Sequence, residues 1–292
     1  MSPAARRAAG LVLLAVVLAV TCGLLGRWQW NRHLARDAVI AVIEAGYGAD
    51  PVPLADVLDS PGDALAGDEV WRPVTVVGHY DAGATALLRN RPINSQAGFH
   101  VLVPFVVTDP AQAGSAPLEA GDRPAVLVVD RGWIPTGESS ERPDTLPAAP
   151  SGTVEITVRL RADEPPSARD APDGEVQAIS IDQVLAAGGR DPADVDAYAA
   201  YGALATEESA VPDDIGVLPK PSTDPGSHLS YAFQWWTFAL GSLIGFSILA
   251  RRELHEASAG DPTGRPARPT GRRGKGPSAE EIEDALIDSQ LG

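Results

Sequence analysis

The sequence predicts an α+β membrane protein in which two transmembrane helices flank a β-rich, antiparallel extracytoplasmic domain. Three observations carry this expectation. Ala8–Leu25 and Tyr231–Ala250 are uncharged runs of 18 and 20 residues, each long enough to cross a hydrocarbon core of about 30 Å at 1.5 Å per residue. The stretch between them, residues 27–230, holds 14 basic and 31 acidic residues, a net of −17. That same stretch is broken into short alternating apolar segments separated by Pro, Gly, Asp and Ser, the pattern of strands and turns.

The elements follow in order. Residues 1–7 form a cytoplasmic N-terminus carrying Arg6 and Arg7, and 8–25 the first span. Trp28 to Glu44 continues that helix outward, because Leu34, Ala38, Ala41, Val42 and Ala45 keep a helical period until Gly46 and Gly48 end it. Strands are expected at Trp71–Tyr80, Thr85–Asn90, Phe99–Val107, Ala125–Asp130, Thr153–Arg161 and Gln177–Ile181. Short helices are expected at Asp182–Ala187 and Pro192–Ala203, and loops at 110–122, 135–151 and 205–227. Several short strands without long helices between them suit an antiparallel sheet or small barrel, so 26–230 reads as one domain.

Residues 231–250 form the second span, and 251–292 a largely disordered cytoplasmic tail with a capping box at Ser278–Glu281. From Arg251 to Lys275 the tail carries seven basic against three acidic residues, which places both termini in the cytoplasm and the acidic middle outside. Trp28 and Trp30 after the first span, and Tyr231, Trp235 and Trp236 in the second, mark one outer interface. Ala15, Ala19 and Gly23, with Gly241 and Gly245, offer small-residue stripes through which the spans could pack.

Composition removes several classes of function. The 292 residues carry a formal charge of −16, which repels nucleic acid. One cysteine, Cys22 inside the first span, excludes an internal disulfide, a CxxC pair and a cysteine-rich zinc site. No GxSxG, HExxH, phosphate-binding loop or dinucleotide fingerprint occurs, so no enzyme is expected. Arginine outnumbers lysine by 21 to 2, a composition expected of a GC-rich bacterial genome. No arginine- and serine-rich transit peptide precedes the first span.

Five histidines remain: His33, His79, His100, His228 and His255. His79 and His100 sit among strand neighbours and read as surface or satisfied core positions. His228 lies at the outer mouth of the second span, and a helical period places it on one face with Tyr231, Trp235, Phe238, Ser242 and Phe246. Two readings are open for it. One is an interfacial histidine capping the helix above an aromatic belt. The other is an axial ligand to haem iron over an aromatic bed of Tyr231 and Trp235. His33, eight residues beyond Leu25, is a conceivable second ligand.

Five ordered pieces then carry a resemblance. They are Leu25-Gly26-Arg27-Trp28-Gln29 with Arg32; Gly78-His79-Tyr80-Asp81; Arg89-Asn90-Arg91-Pro92 followed by Gly98-Phe99-His100-Val101-Leu102-Val103-Pro104; Val129-Asp130-Arg131-Gly132-Trp133-Ile134-Pro135; and His228-Leu229-Ser230-Tyr231-Ala232-Phe233-Gln234-Trp235. In this order, between two spans, they resemble the surfeit locus protein 1 family, assembly factors of haem-copper cytochrome c oxidase. The resemblance implies a bacterial, cell-membrane member that acts in the respiratory chain as a chaperone for the haem-bearing catalytic subunit, around insertion of haem a. It implies oxidase subunits and the lipid bilayer as partners, and haem a as a possible cofactor held by His228. A cofactor-free scaffold that binds oxidase subunits is the second reading, and an outer-face hydrolase, for which no nucleophile and base are visible, the third. Arg91 and Arg131 could meet haem propionates, but pairing with the domain's own carboxylates is the expected use.

Overall fold

The computed structural model describes residues 2–108, 123–137, 142–208 and 214–259. The expected terminal helix from Ser278, the whole tail after Ala259 and the whole 110–122 stretch lie outside the described residues. The chain divides into two compact units, one of residues 1–27 with 232–292 and one of Trp28–Tyr231.

The first unit is a helix pair. Helix α1 runs Pro3–Gly46, and a second long helix, the third among the described residues, runs His228–Ala259. Both are long and apolar enough to cross a membrane. Neither is a core helix, because Leu13, Leu24, Phe233, Leu240 and Ile244 stand exposed. Contact falls on small residues at heptad spacing: Ala8, Ala15 and Cys22 on α1, with Ala232 and Ala250 on its partner, are buried. Gly26 closes the seam, for a Cβ there would run into the Trp236 indole, and an exposed Arg7–Glu253 pair at 3.9 Å lies toward the other end. The glycine stripe read from the sequence is corrected here: Gly23, Gly241 and Gly245 face open space. Alanine, a cysteine and one glycine make the close approach instead.

The second unit is a small barrel. Its strands are β1 (Val52–Pro53), β2 (Pro73–Tyr80), β3 (Ala86–Leu88), β4 (Gly98–Val107), β5 (Ala125–Pro135), β6 (Val154–Ala162), β7 (Glu175–Val176) and β8 (Asp196–Glu207), with helix α2 (Ile181–Ala187) before β8. The second long helix is therefore α3. Hydrogen-bonded order is β1-β2-β6-β8-β5-β4-β3-β7, and an added β2–β4 pairing closes β2, β6, β8, β5 and β4 into a ring. Gly78 is the hand-over point, pairing Val154 on β6 and Val107 on β4. The backbone carbonyl of Val106 occupies the place a Cβ would need there, so only glycine fits.

Two expectations need correction. The sheet is mixed, not wholly antiparallel, since β1–β2, β3–β7 and β5–β8 run parallel. The long connection from β5 through β6, β7 and α2 to β8 lets β8 return parallel to β5. The helix expected at 192–203 is a 3-10 turn at Pro192–Asp194 followed by the longest strand, β8. Alanine-rich β8 is inserted between β6 and β5 with Tyr198, Ala200 and Leu204 in the core, and pairing on both edges outweighs alanine's helical preference. The strand expected at 177–181 lies two residues earlier, as β7. Two packed clusters result. Val74, Val76, Phe105, Leu127, Ile156, Val158, Leu160 and Tyr198 fill the barrel. On its outer face, Ile181, Val184 and Leu185 of α2 cover Ala86, Leu88, Leu102, Val126 and Val128, each large side chain contributing about 1.5–3 kcal/mol of burial.

Candidate functional site

His228 opens α3, and the chain leading to it is pinned. Asp224 Oδ1 accepts from Gly226 N at 2.8 Å, in a turn where Gly226 has φ +69. The Arg36 guanidinium, on the outward part of α1, donates to Asp224 O at 3.0 Å and Ser222 O at 2.6 Å. The His228 ring then meets that same outward part of α1, its Nδ1 lying 3.0 Å from Gln29 Oε1. An amide oxygen only accepts, so Nδ1 is the donor in this contact, and Nε2 takes no part in it. Ser230 Oγ and Tyr231 N both bond Ser227 O, at 2.8 and 3.1 Å. The histidine thus sits half-buried with one nitrogen fixed and the other available.

The other expected site residues separate. Tyr231 is 47% exposed. Trp235, within the helix pair, packs edge-on against Phe238 with centroids 6.0 Å apart. His33 is engaged elsewhere, with Nε2 3.3 Å from Asp37 and its ring edge-on to Trp30. Gln29 had no role assigned from sequence. Its signal was a lone amide between Trp28 and Trp30 at the end of an apolar run, inside one of the quoted motifs.

The arginines of the motifs hold the barrel together, as expected. Arg131 Nη2 donates to Glu207 Oε1 at 3.1 Å with both side chains wholly buried. Tyr80 OH donates to Glu207 Oε2 at 3.2 Å, and the guanidinium carbon lies 5.1 Å from the Tyr80 ring centre. Burial, then the Glu207 charge, hold the Tyr80 hydroxyl well above its ordinary range. Arg91 grips Glu164 bidentately at 3.0 and 2.8 Å. Burial alone would raise the Glu164 carboxyl, but bonds from Arg91 and from Ile179 N outweigh it and hold the group below its usual value. Opposite Val101, β5 carries an extra residue around Arg131–Gly132, where the β4–β5 register shifts. Gly132 has φ +140, and Ile215 and Gly216 crowd the place of its missing Cβ.

A closed mixed barrel, preceded and followed in the sequence by helices long and apolar enough to cross a membrane, is consistent with the class of membrane proteins that carry one folded domain between two spans. The sequence model of the SURF1 family matches residues 16–240, and the chain belongs to that family, known for cytochrome oxidase assembly factors. An "Uncharacterized SURF1-like protein" of Mycobacterium bovis is 32% identical over 250 residues, covering 84% of this chain and 83% of its own length. A counterpart in Mycobacterium tuberculosis matches to the same extent. "Surfeit locus protein 1" of Xenopus tropicalis is 27% identical over 183 residues, 56% of this chain and 53% of its own length.

Proposed function

We propose that this protein assists maturation of the haem-bearing catalytic subunit of haem-copper cytochrome c oxidase, presenting haem a to it at the outer face of the cell membrane. In this reading 8–25 and 231–250 cross the bilayer, both termini are cytoplasmic and 26–230 is extracytoplasmic. The observation that carries it is the His228–Gln29 contact. A histidine that ligates a metal ion commonly has its second ring nitrogen tied to an acceptor, which fixes the tautomer and turns the free lone pair toward the metal. Gln29 supplies that acceptor, and the donor set suits one axial position of a haem iron. Haem is cargo in this account, and the protein's part is to orient it at the boundary where water ends.

The test is absorbance of the full-length protein purified in mild detergent from cells that make haem a. Wild type shows a Soret band that His228→Ala loses. A Soret band unchanged in His228→Ala overturns the ligand assignment and favours the cofactor-free scaffold. Normal oxidase activity and haem a content after deletion of the gene overturn the assembly role itself.

A further inference from the structure

The outer face of β6 carries a row of cations interleaved with aromatic rings. Strand alternation buries Val158 and Leu160 in the barrel and turns Arg159 and Arg161 outward, two residues apart on one face. The Arg159 guanidinium carbon lies 3.9 Å from the centre of the Tyr47 ring, and Lys220 Nζ lies 5.3 Å from the same centre. Tyr47 in turn meets Trp71, with ring centroids 5.9 Å apart. The Arg161 guanidinium carbon lies 3.8 Å over Trp71 and 6.0 Å from the Tyr201 ring centre. Trp71 is held at φ +74, a costly conformation for a bulky residue and one that clusters at binding sites. Its N–H donates to Leu160 O at 2.8 Å, which fixes it beside the two arginines. Arg159 Nε donates to Tyr47 O at 3.1 Å, just past the end of α1. Stacking uses the face of a guanidinium and leaves its N–H edge for an acceptor.

The charges of this row are not balanced from within. No ion pair to Arg159, Arg161 or Lys220 occurs among the described residues. Neighbouring Arg72 has Glu69 at 4.0 Å. Glu164, whose charge is felt at Arg161, has both oxygens bound by Arg91. Three groups that stay positive at any physiological pH thus stand together without a counter-charge, in a chain whose formal charge is −16. Outward residues two apart on a strand leave it about 6.5–7 Å apart, within a Debye length of about 8–10 Å, so the two guanidinium groups repel each other. A neutral acceptor can use the N–H edges but leaves that repulsion in place. An anion removes it.

We propose that this row is a docking surface for an extended acidic segment of a partner protein, with carboxylates on alternate residues. Alternate side chains of an extended chain leave one face about 6.5–7 Å apart, the same repeat as Arg159 and Arg161. Successive carboxylates therefore meet successive guanidinium edges, and a third reaches Lys220. A single small anion balances one of the three charges and leaves two. Tyr, Trp and Arg are also the side chains that most often carry binding energy at protein interfaces. The inference is independent of His228 and of haem.

The experiment is fluorescence anisotropy of capped peptides carrying a neutral dye, titrated at low ionic strength with the full-length protein in mild detergent. The peptides are SESESES, its amide counterpart SQSQSQS, and ESSESSE, which has the same composition but successive glutamates on opposite faces of an extended chain. SESESES binds saturably, although the acidic protein as a whole repels it. SQSQSQS binds at least tenfold more weakly and ESSESSE at least threefold more weakly. Arg161→Met and Lys220→Met each weaken SESESES binding at least threefold. Arg190→Met, which removes an equal charge from a guanidinium bound to Asp81, leaves it at the wild-type value. Urea midpoints establish that the variants are folded, and Lys220, exposed on the surface, decides the matter if Arg161→Met is not. The proposal is overturned by no saturable binding of SESESES, by SQSQSQS binding within threefold of it, by equal binding of ESSESSE, or by wild-type affinity in Lys220→Met.

Discussion

Replacing Arg131 by methionine isolates what the buried charge pair contributes. The substitution keeps the aliphatic reach of the side chain and removes the guanidinium. Glu207 is left without its counter-ion, its side chain wholly buried and holding only the Tyr80 hydroxyl at 3.2 Å. Removing one partner of such a pair costs about 3–5 kcal/mol, because the remaining charge has lost both its water and its counter-ion. For a domain of roughly 200 residues this is a fall in Tm of about 6–20 °C, at some 2–4 °C per kcal/mol. Arg91→Met serves as the scale. Its ion pair with Glu164 is 38% and 25% exposed, so solvent screening limits the loss to about 1 kcal/mol or less. The double variant Arg131→Met, Glu207→Met recovers most of the stability, since an apolar pair of similar volume needs no counter-charge. Urea unfolding of the detergent-solubilised protein, followed by tryptophan fluorescence, measures all four proteins. The reasoning is refuted if Arg131→Met costs no more than Arg91→Met, or if the double variant is as unstable as Arg131→Met.

Three further outcomes follow from the structure. Gln29→Leu removes the acceptor that fixes the His228 ring; haem retention in detergent is expected to fall about 10–100-fold, while Gln29→Glu keeps an acceptor and keeps the Soret band. Gly132→Ala places a methyl 2.7 Å from Gly216 O at positive φ and costs about 3 kcal/mol through strain and overpacking, seen as a lowered urea midpoint. Tyr80, Tyr198 and Tyr201 all have hydroxyl values raised by burial, the last two to about 12. Between pH 10 and 12 the unfolded chain gives up protons that the folded chain retains, so stability falls as pH rises, by roughly 1 kcal/mol per pH unit for each tyrosine. A flat urea midpoint from pH 9 to 11.5 contradicts this.

Much of the fold was legible because local pattern and tertiary environment agree. β6 alternates apolar and polar residues, and its partners bury the apolar face, so its sequence limits and observed limits differ by one residue. The outward run of α1 ends at Gly46, where a Cβ would press on Val70 O at 3.0 Å. What was not legible depends on partners distant in sequence. β8 is rich in alanine and reads as helix until β5 and β6 are placed on its two edges. The parallel pairings are a property of chain path, not of any strand's own residues. The two long helices pack through Ala8, Ala15 and Cys22 of α1 because the face of α1 is chosen by α3, which no stripe of small residues reveals alone. His228 was visible from its position at the mouth of the second apolar run, on one helical face with Tyr231, Trp235 and Phe238. Its orientation was not, because Gln29 lies 199 residues away. His100 looked satisfied because it alternates with Phe99 and Val101, and only the register shift shows that one of its nitrogens is met by Asp130 and the other by none of the described residues.

The account stands on the barrel being displayed outside the membrane with His228 at the boundary. Alkaline phosphatase fused within residues 142–150, and separately after Ala259, tests this most directly. The account predicts an active enzyme from the first fusion and an inactive one from the second. Activity from the second with none from the first contradicts it.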